Sequence, residues 1–303
     1  GNHKTILSRQ LKSMRIGSLR YPMGALGENY LFHDLSAGSP VEGKLQPRVI
    51  TTQKPPGSFG WAVNPDGSFK PRVLDFDGFV NLYRESGAEP VVLVATYGQR
   101  YSVPRVDDEV VLRNAEEWVR YSNVIRKLGI KYWEIGNEVS LRSAREVISQ
   151  EQYLDIFMKM ATRMKAIDPS IRTGLGTTQG AAGLSTPYFR KAMATFPELV
   201  DFVVVHEYMG QIESYEKYLH HSREFLNETV QTLAAIDKEA PVQRRKSTEI
   251  LITEFSSFPA GKKFVSPERS LNSIFSALLT FEMLAEGICL DDRVRFLHFL
   301  GDA

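Results

Sequence analysis

The chain has 303 residues, 43% of them hydrophobic and 24% charged, which is the balance of an ordinary globular fold and excludes a disordered or fibrous one. Its 37 basic and 36 acidic residues leave a formal net charge of +1, so neither nucleic acid nor an anionic membrane is an expected partner. The lone Cys289 excludes an intramolecular disulfide, and no apolar run reaches the ~20 residues of a membrane span.

Taken in order, residues 3–13 read as a short polar helix feeding a strand over 14–21, which closes with Arg20-Tyr21-Pro22-Met23-Gly24. Residues 24–72 then form a segment rich in Gly, Pro and Asp, far longer than a usual α/β connection. It carries Tyr30, Phe32, Phe59 and Trp61, aromatics suited either to stacking on sugar rings or to anchoring the segment. Asp75 caps a helix to about residue 86, with Phe76, Phe79, Val80 and Tyr83 on one face. A continuous apolar strand follows over 89–98, ending at Tyr97-Gly98. The stripe Val111, Ala115, Trp118, Val119, Ser122 and Ile125 predicts a helix over 108–128. A strand over 130–135 comes next, then a helix opened by the capping box Ser149-Gln150-Glu151-Gln152. Strands over 171–177, 199–206, 248–254 and 294–300 alternate with helices for the rest of the chain. This alternation argues for parallel α/β architecture, and its even spacing favours a barrel over an open sheet.

Two of these strands end in carboxylates. Tyr132-Trp133-Glu134-Ile135-Gly136-Asn137-Glu138 stops being apolar at a glycine, an amide and an acid, and Ile250-Leu251-Ile252-Thr253-Glu254-Phe255 delivers a second acid. In parallel α/β proteins ligands gather at the carboxyl ends of strands. Two glutamates on one rim supply the pair that glycosidic bond cleavage needs, one as acid and base and the other as nucleophile or as base for water. Glu134 shares strand parity with Glu138 and is expected either as a buried, paired carboxylate or as a site residue.

Those two motifs together resemble the large clan A of retaining glycoside hydrolases built on (β/α)8 TIM barrels, and within it the family 51 α-L-arabinofuranosidase type. The resemblance runs from Leu19 to about Leu300. It implies that Glu138 is the acid/base after strand 4 and Glu254 the nucleophile at the end of strand 7. It implies further that Asn137 donates to the sugar 2-hydroxyl, that Arg20 lies close to the nucleophile, and that His206 and Tyr208 are the His-x-Tyr pair ending strand 6, with the phenol on the nucleophile. Trp61 and Tyr97 are expected to contact substrate. Only seven strands can be counted where the resemblance needs eight, so the first strand is expected to be missing and the single catalytic barrel of 1–303 to be truncated at both ends, with 24–72 as its substrate loop.

The chain departs from the family's pattern at one place. Many family 51 members read Arg-x-Pro-Gly-Gly-Asn, whereas here Arg20-Tyr21-Pro22-Met23-Gly24 is followed by Ala25, so the amide that binds arabinose is replaced. The implied partner is therefore an oligosaccharide or polysaccharide, arabinofuranoside or a related plant or algal glycan. No His/Cys cluster has metal-ligand spacing and Gly174-Leu175-Gly176 lacks the rest of a dinucleotide fingerprint, so no metal and no cofactor is expected. The alternative is a non-catalytic carbohydrate-binding barrel, since a fold does not fix a function. Compartment and oligomeric state are not legible in the sequence.

Overall fold

The computed structural model describes residues 2–50, 60, 62–96, 107–140, 147–176, 185–209, 216, 226–257 and 274–299. It divides into two compact units, residues 1–176 and 177–303.

The first unit opens with helix α1 (Asn2–Ser13), as the sequence predicts. The following strand starts later than expected. Met14 N–H still bonds to Gln10 O (2.9 Å) and Arg15 turns left-handed at φ 51°, so the helix's final turn consumes the residues before β1 (Ser18–Tyr21). The long segment after it is not bare loop. It holds a short helical turn (Gly24–Gly27) and an antiparallel ribbon of β2 (Tyr30–Leu31) and β3 (Arg48–Val49). Tyr30 and Phe32 are fully buried. Phe32 stacks on Trp118 at 5.1 Å, and the Tyr30 hydroxyl lies 2.7 Å from that of Tyr21. Of the two readings open for these aromatics, anchoring is therefore the one met by Tyr30 and Phe32. Phe59, Trp61 and Tyr97 lie outside the described residues.

Helix α2 (Phe76–Ser86) is capped by Asp75, whose carboxylate accepts from Gly78 N–H at 2.8 Å, and it buries Phe76, Phe79, Val80 and Tyr83 as the periodicity requires. β4 (Glu89–Val94) pairs in parallel with β1 and is buried from Val91 to Val94. Helix α3 (Asp108–Val119) buries Val111, Ala115, Trp118 and Val119, but continues into a π-helical turn over Arg120–Ile125. Each wider turn rotates the residues after it, which keeps Ser122 buried and throws Ile125 off the stripe to 58% exposure. β5 (Tyr132–Ile135) pairs with β4, and β6 (Arg172–Leu175) with β5, both in parallel. Between them runs α4 (Gln150–Ile167), whose capping box is complete and whose Met160 and Met164 are core.

In the second unit, α5 (Ser185–Thr195) leads to β7 (Phe202–Met209), and α6 (Asn227–Glu239) to β8 (Glu249–Ser257). Helix α7 (Ile274–Leu290) leads to β9 (Val294–Phe299). β8 lies between β7 and β9, parallel to both. Its Ile250-Leu251-Ile252 run is fully buried, and the strand continues past Glu254 to Ser257, further than its apolar stretch suggests. Likewise β7 runs through His206, Glu207 and Tyr208 to Met209. Among the described residues no helix is long and apolar enough to cross a membrane.

Candidate active site

The first unit builds one cluster at the ends of β1 and β5. Arg20, from β1, donates from Nε to Glu134 Oε2 (2.8 Å) and from Nη2 to Glu134 Oε1 (2.6 Å). Glu134 is 0% exposed, so of its two expected readings the buried, paired carboxylate is the one observed. Stranding either charge in the interior would cost about 3–5 kcal/mol, which makes the pair a fixed strut. The same Nη2 donates to Asn137 Oδ1 at 2.8 Å. Guanidinium can only donate, so this bond decides which way the Asn137 amide faces and leaves its Nδ2 to donate elsewhere. Arg20 also borders an apolar cavity of about 770 Å³ shared with Tyr21, Pro22, Met23, Leu26 and Phe69.

Glu138 follows on a sharply turned backbone. Gly136 sits at φ 81° and Glu138 itself at φ 50°. A left-handed glutamate costs on the order of 1 kcal/mol, and such strain persists only where its surroundings over-determine it. Several contacts do so here. Gly136 N–H bonds to Val94 O (2.9 Å) and Val139 N–H to Gly176 O (3.2 Å). Tyr153, from α4, donates its hydroxyl to Ile135 O at 2.8 Å and accepts from Gly176 N–H at 3.1 Å. A Cβ on Gly176 would stand 1.6 Å from Gly136 O, so only glycine permits that approach. The Asn137 N–H is taken by the fully buried Glu28 at 2.8 Å. Sequence reasoning missed Glu28, Tyr153 and Gly176 as parts of this turn.

The second unit builds another cluster where β7 meets β8. Pairing shifts between Val205 and His206, so that Val205 aligns with Ile252 but His206 with Glu254, leaving Thr253 as the extra residue of a bulge. The bulge brings both neighbours to one histidine: His206 Nε2 is 3.1 Å from Thr253 Oγ1, and Nδ1 is 3.5 Å from Glu254 Oε2. Tyr208 donates its phenol to the same Glu254 oxygen in a short hydrogen bond. Glu254 is 6% exposed.

Glu207 lies between these two and faces the other way, as strand alternation demands. Its Oε1 accepts from Thr229 N–H and Thr229 Oγ1, both at 2.7 Å. It thereby caps α6, whose own N-cap residue Leu226 offers no side-chain acceptor. Burial pushes its carboxyl up to about 7, the Thr229 donors opposing that rise without cancelling it. A raised carboxylate keeps a proton in the folded chain that the unfolded chain releases from its ordinary value of 4.5 upward. Folding stability from this group is therefore full below that value and falls as pH rises towards 7. Glu207→Gln keeps the acceptor and removes the titration. Urea unfolding at the two ends of that window should show the variant gaining on the parent by on the order of 2 kcal/mol as pH rises. A difference that does not change with pH would contradict the assignment.

Four parallel strands in one unit and three in the next, alternating with helices, are those of a (β/α)8 TIM barrel, one strand short among the described residues. Solved structures share this fold. An α-L-arabinofuranosidase from Thermotoga maritima, in complex with arabinose, superposes with a TM-score of 0.70 at 17% identity, over 98% of this chain and 57% of that one. A family 51 α-L-arabinofuranosidase from Bifidobacterium longum gives a TM-score of 0.70 at 16% identity, over 100% and 62%. A family 44 xyloglucanase from Paenibacillus polymyxa gives 0.62 at 13%, over 95% and 70%. The chain thus spans about 57–62% of the length of these two arabinofuranosidases. No family model and no curated protein matches the chain.

Proposed function

We propose that residues 1–303 are the catalytic barrel of a glycosidase, an O-glycoside hydrolase working with retention, with Glu254 as nucleophile and Glu138 as acid and base. The observation that carries the reading is the Glu254 carboxylate, nearly buried at the β7–β8 bulge with the Tyr208 phenol on one oxygen and His206 beside it. A carboxylate so held is fixed in place, as an attacking group must be. The strained turn that carries Glu138, with Asn137 oriented by Arg20, supports the second role. Glu254 forms a bond to the anomeric carbon while Glu138 gives its proton to the departing glycosidic oxygen. Glu138 then takes a proton from water as the water displaces Glu254, and two inversions leave the configuration retained. In this reading the Asn137 Nδ2 donates to the sugar 2-hydroxyl, a contact that strengthens as positive charge develops on the ring.

The substrate of this reading is a plant or algal glycan; the fold's neighbours include an arabinofuranosidase and a xyloglucanase, and Ala25, in place of the arabinose-binding amide, favours a sugar other than arabinofuranose. A panel of nitrophenyl arabinofuranosides, xylosides, glucosides and galactosides tests the reading, with the first-formed product followed by NMR. Turnover with retained configuration, unchanged by a chelator, is the expected result. Binding of glycans without any turnover would establish the carbohydrate-binding barrel instead, and chelator-sensitive turnover a metal-dependent hydrolase.

A further inference from the structure

We propose that Glu28 is a positioning residue for Glu138, holding the turn that carries the acid/base against the end of the neighbouring strand. The inference rests on the glycosidase reading of Glu138 and deepens it. Glu28 comes from the segment after β1 and is fully buried. Its Oε1 accepts from Thr96 N–H (2.9 Å) and from the Thr96 hydroxyl in a short bond, and its Oε2 accepts from Asn137 N–H at 2.8 Å. One side chain thus ties the backbone just after β4 to the backbone just after β5, at the residue preceding Glu138.

The chemistry calls for a carboxylate at this place. Three donors, the Thr96 N–H and hydroxyl and the Asn137 N–H, converge on its two oxygens, and a carboxylate can accept on both. Burying an anion completely is costly unless it is hydrogen-bonded, and these donors meet that need with charge-assisted bonds. Glu138, meanwhile, stands at φ 50°, a backbone state that relaxes once its restraints are loosened. Further restraints act on Ile135, Gly136 and Val139, through Tyr153, Val94 and Gly176, and on the Asn137 side chain, through Arg20. Glu28 is the one described side chain that takes the Asn137 N–H. Loosening it would let Glu138 swing out of the position its turn gives it.

A general loss of structure and a misplaced acid differ in one readout, the dependence on leaving group. Glu28→Gln presents an NH2 group to one of the converging donors, and Glu28→Asp keeps the charge but is one methylene too short to reach both strands. Each variant is assayed on aryl glycosides of the sugar the parent turns over fastest, from dinitrophenyl to phenyl leaving groups, beside Glu138→Ala. The expected result is that kcat/KM falls on the order of 10- to 100-fold on phenyl glycosides, which need the proton, and less than about threefold on dinitrophenyl glycosides, which do not. A uniform loss across the series, or no loss, in the folded variants overturns the proposal while Glu138→Ala retains its leaving-group signature. If Glu138→Ala itself lacks that signature, the assignment of Glu138 fails and the proposal with it. Should Glu28→Gln be unfolded by circular dichroism, the same series on Glu28→Asp decides.

Discussion

Glu254→Ala should lower kcat by on the order of 10⁴-fold or more on every glycoside the parent cleaves, while circular dichroism and urea unfolding show a folded chain. The size of the effect follows from what is lost. A nucleophile deletion removes the covalent route altogether, and 10⁴-fold corresponds to about 5.5 kcal/mol of barrier. The Tyr208 phenol and His206 hold the carboxylate but carry no group able to form a stable ester in its place. The rescue experiment makes the expectation sharper. Alanine leaves a space into which azide can fit, and azide attacking the anomeric carbon directly is a single displacement. On a dinitrophenyl glycoside the variant should therefore yield a glycosyl azide of inverted configuration. Near-normal hydrolysis by Glu254→Ala, or a retained azide product, would remove Glu254 from the role.

Much of this arrangement could be read from the chain because strands and helices announce themselves by period. Phe76, Phe79, Val80 and Tyr83 lie on the face that helical spacing assigns them, and Ser149 and Gln152 form their capping box. What escaped was set by departures from regular period. The π-helical turn at Arg120–Ile125 exposes Ile125 although its spacing is that of a core residue. The bulge at Thr253, which lets one histidine meet two consecutive residues, leaves no mark in composition. Glu28 belongs to a segment without periodicity, where a fully buried carboxylate and a solvated loop glutamate look alike in sequence. Arg20 was expected beside the nucleophile from resemblance; its bonds to Glu134 and Asn137 depend on three-dimensional reach across β1, β4 and β5. The strands that lead to Glu138 and Glu254 were thus legible, and the contacts around those residues were not.

Glu138→Ala should behave differently from Glu254→Ala, and the difference carries the mechanism. Glu138 serves twice, giving a proton to the leaving oxygen and later taking one from water. On a dinitrophenyl glycoside the first duty is dispensable, since the leaving phenolate is stable without a proton, so formation of the covalent intermediate should stay within about tenfold of the parent. Its hydrolysis still needs the base and should slow by about 10²- to 10⁴-fold. The intermediate then accumulates, and a stopped-flow trace should show a burst of phenol close to one equivalent of enzyme, followed by slow turnover. On a phenyl glycoside both duties are needed, the first step itself becomes slow, and no burst should appear. Azide requires no base, so it should restore turnover on the activated substrate and do nothing for the other. Because azide here attacks the intermediate rather than the substrate, two displacements occur and the glycosyl azide should retain the starting configuration. The pair of azide products, retained from Glu138→Ala and inverted from Glu254→Ala, assigns each glutamate independently of any rate. A Glu138→Ala variant that loses activity equally on both substrates, with no burst and no azide effect, would leave Glu138 as a turn residue and the acid to be sought elsewhere.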